Sequence, residues 1–230
     1  MANYAATRDR VEHYFDRTAT KTWERLTSDA PVSGVRATVR AGRDRMRALL
    51  LAQLPEDLRG ARILDAGCGT GAMAVELAQR GADVVAVDIS PALVGIAEKR
   101  MPANLSGRIT WVAGDMLEAT DGVFDHVIAM DSMIYYTAPD IAAVLGKASP
   151  RVNGKFVFTL PPRTPALMAM WRVGKFFPRA DRSPTMIPQT TAGVAQALRD
   201  AGVKGRLSEV ERVKSGFYIS NALVFEGGAK

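Results

Sequence analysis

Three aspartates and three glycines hold the chemistry legible in this sequence. In "ILDAGCGTGAMAVELA", residues 63–78, Gly67, Gly69 and Gly71 separate an apolar run from an amphipathic one, and Asp65 stands just ahead of them. Glycines in a strand-to-helix turn let a ligand approach the backbone, and the helix N-terminus behind them presents N–H groups with partial positive charge. A dinucleotide fingerprint spaces its glycines G-x-G-x-x-G, whereas the spacing here is G-x-G-x-G. A carboxylate beside such a turn repels a pyrophosphate and pairs with an ammonium group, which favours S-adenosylmethionine over NAD. Asp88 ends "VVAVD" and Asp115 ends "WVAGD". The first can accept hydrogen bonds from both ribose hydroxyls, the second from an adenine amino group. Three successive strands thus end in aspartate at the edge where open parallel sheets bind ligands. The competing reading has these aspartates cap turns and helices.

The elements that must position these residues follow from the alternation beyond residue 61. Strand-like "ARILDAG", "DVVAVDIS", "RITWVAGDM", "FDHVIAMDS" and "GKFVFTLPP" alternate with helix-like "MAVELAQRG", "PALVGIAEKRM" and "DIAAVLGKAS". That order predicts an α/β fold with a mainly parallel sheet. Residues 1–60 read as an N-terminal helical lid, with Val11, Tyr14, Phe15 and Thr18 at helical spacing. Residues 61–160 form the expected cofactor-binding core, 161–188 a proline-bounded insertion, and 189–230 a last helix and a C-terminal strand hairpin.

Composition narrows the setting. The 230 residues are 47% apolar and 23% charged, with one cysteine, Cys68. A single cysteine excludes a disulfide framework and a multi-cysteine metal site, and suits a reducing, cytoplasmic environment. No segment reads as a signal peptide or a membrane span, and no nucleic-acid partner is expected. The net charge of +6 is uneven: residues 61–150 carry six Lys/Arg against eleven Asp/Glu, and residues 151–230 thirteen against five. An acidic centre between basic flanks suits ligands of opposite sign, although a solvated surface explains it equally well.

Which group would receive a methyl is argued from what is missing. The run "AMDSMIYY" lacks the Asn/Asp-Pro-Pro-Tyr pattern that holds an amine or amide, and the chain has two histidines. His126 lies in a strand-like run and reads as packed, while His13 reads as solvent-facing. A phenol or alcohol needs a base, whereas a carboxylate is already ionised at pH 7. The insertion interleaves Arg163, Arg172, Lys175, Arg179 and Arg182 with Leu167, Met168, Met170, Trp171, Phe176 and Phe177. It suits a flat apolar molecule with acidic tails. An ordinary lid and a membrane-surface patch compete for the same segment.

"ILDAGCGTG", "VVAVDIS" and "WVAGDM" resemble the successive motifs of class I methyltransferases. That resemblance implies a Rossmann-like, seven-stranded, mostly parallel sheet with an antiparallel last strand, completed by "FYISNALVFE". Over nearly the whole length, "VEHYFDRTATKTWERL", "VRATVRAGRDRMRALL", "MDSMIYY" and "TLPPRTP" resemble the magnesium protoporphyrin IX O-methyltransferase family of chlorophyll and bacteriochlorophyll synthesis. The resemblance implies methyl transfer from S-adenosylmethionine to a porphyrin propionate, with S-adenosylhomocysteine as product. Magnesium then enters with the porphyrin and needs no site on the protein. A contact with the magnesium-inserting chelatase and association with a membrane surface are implied in the same way.

Under that resemblance, Tyr14 matches a tyrosine that covers the active site, and Arg40 an arginine assigned here to the methionine carboxylate. Arg36, Arg40, Arg43 and Arg47 share one helical face, read as mostly solvated. Asp65, Gly67, Cys68, Gly69, Asp88, Ile89, Asp115, Met116 and Met130 complete the expected cofactor set. Trp23 and Arg25 either close over the cofactor or pin the N-terminal arm. Arg163, Met168, Trp171, Arg172 and Lys175 are the expected substrate-binding residues. Some relatives carry a histidine where this chain has Tyr135, so Tyr135 joins Tyr14 as a catalytic candidate, as a hydrogen-bond donor. Two rivals stand beside this reading: a methyltransferase for a phenolic or quinol acceptor, and a porphyrin carrier without enzymatic activity.

Overall fold

The computed structural model describes residues 2–16, 20, 27, 34–118, 121–165, 167–168 and 185–227. Their helices are α1 (Ala2–Tyr14), α2 (Gly34–Leu51), α3 (Ala72–Gln79), α4 (Pro91–Arg100), α5 (Ala138–Ala148) and α6 (Thr191–Asp200). The strands are β1 (Arg62–Ala66), β2 (Asp83–Asp88), β3 (Arg108–Ala113), β4 (His126–Ala129), β5 (Lys155–Leu160), β6 (Gly205–Ser215) and β7 (Tyr218–Gly227).

The seven strands form one sheet in the order β3-β2-β1-β4-β5-β7-β6. β1 to β5 are parallel, and β7 runs antiparallel between β5 and β6. This is the class I methyltransferase architecture that the motifs imply. The hairpin does not simply extend the edge in chain order: its second strand turns inward and leaves β6 outermost.

Alternation along the strands sends side chains to two separate cores, as a two-residue period requires. Ile63, Val84, Val157 and Val224 face Met46, Leu50 and Leu51 of α2 and Leu77 of α3. Leu64, Val85, Phe156, Phe158 and Phe225 face Ile141 and Leu145 of α5 and Val194 and Leu198 of α6. Each such fully buried side chain contributes about 1.5–3 kcal/mol relative to exposure. Helices on both faces of a largely parallel sheet explain why its central strands are continuously apolar.

The helix starts are written locally. Ser90 caps α4, accepting from Leu93 N at 3.3 Å, with Pro91 at the first helical position. Thr137 and Asp140 form a reciprocal capping box at α5. α2 lies against the C-terminal hairpin, where a Cβ on Gly42 would come within 2.8 Å of the Tyr218 ring. The Ser215 hydroxyl donates to Thr38 O at 2.8 Å in the same contact.

Candidate active site

The strand order reverses between β1 and β4, on either side of which connections run in opposite directions; ligands bind at the carboxyl ends of strands beside such a switch point. A cavity of about 430 Å³ opens there. Arg40, Asp65, Gly67, Cys68, Gly69, Asp88, Ile89, Asp115, Met116 and Met130 all lie on its wall, as does Tyr135.

The glycine turn is held to the end of β2. Gly67 N and Cys68 N both donate to Val87 O, at 2.7 and 2.9 Å, and Gly69 N donates to Asp88 Oδ2 at 2.8 Å. Gly67 has φ 85°, and a Cβ there would stand 2.3 Å from Ser132 Cβ. Both the left-handed conformation and the close approach demand glycine. Burial pushes the Cys68 thiol well up, with Asp65 and Asp88 adding to the shift, so the thiol stays protonated and is no nucleophile.

Each aspartate has a distinct environment. Asp65 is fully buried, and its Oδ2 has no hydrogen-bond partner among the described residues. Burial, and then the charge of Asp88, raise its pKa to about 7. Asp88 accepts from Gly69 N and, at 2.9 Å, from Ser90 N; burial still raises its pKa to about 6. Asp115, two residues beyond β3, accepts from Leu117 N at 2.8 Å, from the Tyr4 hydroxyl at 3.1 Å and from Arg8 Nη1 at 3.4 Å. The turn-and-cap reading of the sequence therefore holds in part, because Asp88 and Asp115 do brace the backbone around them. Each carboxylate oxygen has two lone pairs, so bracing and ligand binding are compatible. The orphaned Oδ2 of Asp65 is the observation that fits a cationic ligand: a buried acceptor without a donor is costly unless something supplies one.

Tyr135 is buried and packs with Val11 and Ile134. Its pKa is raised by burial and by Asp131, so at neutral pH it is a donor and not a base. Tyr14 does not line the cavity; the neighbouring Phe15 does, with its ring edge-on to Tyr14 and to Tyr135. Tyr14 still acts on Tyr135 electrostatically. His126 lies in β4, where its Nδ1 accepts from Lys155 N at 3.1 Å, while His13 is exposed.

The arginine stripe departs from the solvated reading. Arg40, Arg43 and Arg47 line the cavity, and of the four Arg36 alone is wholly on the exposed side. Arg47 Nε meets Glu76 at 2.5 Å, and Arg43 Nε meets Asp131 Oδ2 at 3.3 Å. The reason is tertiary: α2 packs Met46, Leu50 and Leu51 onto the sheet, and that orientation turns the stripe over the strand ends. Asp131, Tyr4 and Arg8 are cavity residues that the sequence did not single out. For Asp131 a signal existed in its place at the end of a strand, as with the other three.

Of the insertion residues, Arg163 is exposed and Met168 half-buried, and neither lines the cavity. Trp171, Arg172 and Lys175, like Trp23 and Arg25, lie outside the described residues. The two ends of the insertion pair through Arg163 N to Gln189 O and Gln189 N to Pro161 O. Its returning end joins the Tyr135 segment, with Ile187 N donating to Ile134 O at 2.8 Å.

A family model described as "Magnesium-protoporphyrin IX methyltransferase C-terminus" matches residues 129–226, and a "Methyltransferase domain" model matches 63–153. A magnesium-protoporphyrin O-methyltransferase of Rhodobacter capsulatus is 53% identical over 97% of this chain and 98% of its own length. The chain belongs to the magnesium-protoporphyrin O-methyltransferase family. A solved member of this family, the Synechocystis PCC 6803 enzyme with bound S-adenosylhomocysteine, superposes with a TM-score of 0.78 at 25% identity. The match covers 95% of this chain and 98% of that one. A ubiquinone biosynthesis O-methyltransferase of Xanthomonas oryzae is 30% identical over 67% of this chain and 64% of its own length. Like its family, the chain is a methyltransferase that uses S-adenosylmethionine, and the cavity residues fit that cofactor.

Proposed function

We propose that the chain methylates a propionate carboxylate of magnesium protoporphyrin IX to give the monomethyl ester in (bacterio)chlorophyll synthesis. The observation that carries this reading is the near-full-length likeness to the Rhodobacter capsulatus protein of that name. When bound, S-adenosylmethionine supplies an electrophilic methyl group. Asp65 would meet its ammonium group, Asp88 its ribose hydroxyls, Asp115 its adenine amino group and Arg40 its carboxylate. A carboxylate acceptor arrives ionised, so the protein has no proton to remove and acts by orientation and exclusion of water. Tyr135, held neutral by burial, suits the part of a donor to that carboxylate. The insertion would supply the porphyrin-facing wall, a reading supported by the bond that ties its end to Ile134. Hand-over from the magnesium-inserting chelatase and contact with a membrane surface belong to the same proposal. No described helix is long and apolar enough to cross a membrane.

The test is chromatographic detection of porphyrin ester after incubation with S-adenosylmethionine and magnesium protoporphyrin, with metal-free protoporphyrin and a quinol alongside. The expected result is a monomethyl ester, chiefly from the metallated porphyrin. Methylation of the quinol alone would replace this reading with the phenolic one, and turnover would then rise with pH through the acceptor's pKa.

A further inference from the structure

Asp131 is held in the left-handed region of backbone space, which few residues other than glycine adopt. Its φ is 57°, the one positive φ at a non-glycine among the described residues. Such strain persists only where surrounding structure over-determines it, and it clusters at functional sites. Here the surroundings are three elements. The Asp131 amide, just past β4, donates to Thr159 Oγ1 of β5 at 2.8 Å, and that hydroxyl donates back to Asp131 Oδ1 at 3.1 Å. The Tyr218 hydroxyl of β7 donates to the same oxygen at 3.0 Å. Oδ2 faces Arg43 Nε of α2 at 3.3 Å.

The charges in this network are mostly out of water: the Arg43 side chain is 18% exposed and that of Asp131 11%. A buried ion pair is poor value for stability, since well-packed apolar residues often do as well. Yet Arg43, Asp131 and Tyr135 line one cavity. Both charges also act on Tyr135, Asp131 raising its pKa and Arg43 lowering it, which puts the three groups within electrostatic reach. A guanidinium carries five donors in a planar fork whose geometry matches the two oxygens of a carboxylate.

We propose that Asp131 is a positioning residue for the acceptor: it aims Arg43 so that the guanidinium and the Tyr135 hydroxyl together receive the acceptor's carboxylate beside the cofactor site. This rests on the carboxyl-acceptor reading above. Tyr218 and Thr159 fix Asp131, Asp131 fixes Arg43, and Arg43 selects a planar anion.

The test compares equilibrium binding of magnesium protoporphyrin and of its dimethyl ester, by fluorescence quenching, in the wild-type chain and in Asp131→Asn, Arg43→Lys and Tyr218→Phe. S-Adenosylhomocysteine affinity by calorimetry serves as the measure of an intact fold. The wild type prefers the diacid, and Asp131→Asn and Arg43→Lys each reduce that preference about ten-fold, the usual scale for a charge-assisted hydrogen bond. Tyr218→Phe reduces it less, by about three-fold, since Asp131 keeps its other partners. S-Adenosylhomocysteine affinity stays within about three-fold throughout, and KM for the porphyrin rises more than kcat falls. A wild-type preference retained in Asp131→Asn would overturn the proposal and leave Asp131 a structural brace. A loss falling on S-adenosylhomocysteine instead would assign Arg43 to the cofactor and overturn it equally. Absence of ester from the wild-type chain would be seen before any variant is made and would remove the substrate reading, and this inference with it.

Discussion

Asp65 concentrates the electrostatics of the site in one carboxyl group. Burial and the charge of Asp88 raise its pKa to about 7, so in the free protein it holds its proton well above the ordinary carboxylate range. The sign for stability follows directly. The unfolded chain has already lost this proton where the folded chain keeps it, so the free protein loses stability from about pH 4 towards pH 7. For ligand binding the sign is reversed. Only the ionised form pairs with an ammonium group, so cofactor affinity should fall as pH drops below about 7, by up to ten-fold per pH unit. Calorimetry in buffers of different ionisation enthalpy should show proton release on binding near pH 7. The same titrations on Asp65→Asn should be weak and flat; a variant that keeps the wild-type pH profile would take Asp65 out of the ammonium contact.

At the scale of elements, the glycine turn and the N-terminal helix do different work. Gly67 and Gly60 both have left-handed φ, 85° and 80°, but a Cβ at Gly67 meets Ser132 and one at Gly60 meets nothing within 4 Å. Gly60→Ala should therefore cost only the conformational penalty of about 1–2 kcal/mol. Gly67→Ala should add an overpacking cost of about 1–3 kcal/mol, read as a lower urea midpoint at constant m. Equal midpoints would mean that Ser132 yields freely.

The segment that includes α1 is clasped to the cofactor strands at two points. Tyr4 and Arg8 reach Asp115, and the Asp16 carboxylate accepts from Ser90 Oγ at 2.5 Å, two residues past Asp88. Cutting the second clasp with Asp16→Ala should lower amide-exchange protection across residues 2–16 and leave β1 and β2 protected. Unchanged protection would assign the hold on this segment to apolar contacts such as Val11 against Tyr135.

Over the whole molecule, cofactor binding and folding are linked, because residues from β1, β2, α2 and the turn just past β4 reach one cavity. A ligand that binds the folded state alone at one hundred times its dissociation constant adds about 2.7 kcal/mol. For a chain of this length, that corresponds to a rise in Tm of about 5–10 °C. S-Adenosylhomocysteine should produce such a shift at pH 8 and a smaller one at pH 6, where Asp65 is protonated. A shift independent of pH would separate the thermal stabilisation from Asp65.

The sheet, the edge at which the cavity opens and nine of its wall residues, from Asp65 to Met130, were legible from the sequence, because they follow local signals and class-wide motifs. Apolar runs of strand length, a G-x-G-x-G turn and an aspartate at a strand's end each specify backbone and charge within a few residues. The family was legible too, through longer runs such as "MDSMIYY" and "TLPPRTP". What the sequence could not supply were relations between distant elements. Helical spacing put Arg36, Arg40, Arg43 and Arg47 on one face, but only the packing of α2 on the sheet turned three of them toward the cavity. Spacing likewise grouped Tyr14 with Phe15, and the structure gave the cavity wall to Phe15. Asp131 gained its partners from α2, β5 and β7, as many as 88 positions away in the chain. No local pattern encodes such a contact, since it exists only once long-range packing has brought three separate segments to one strand end.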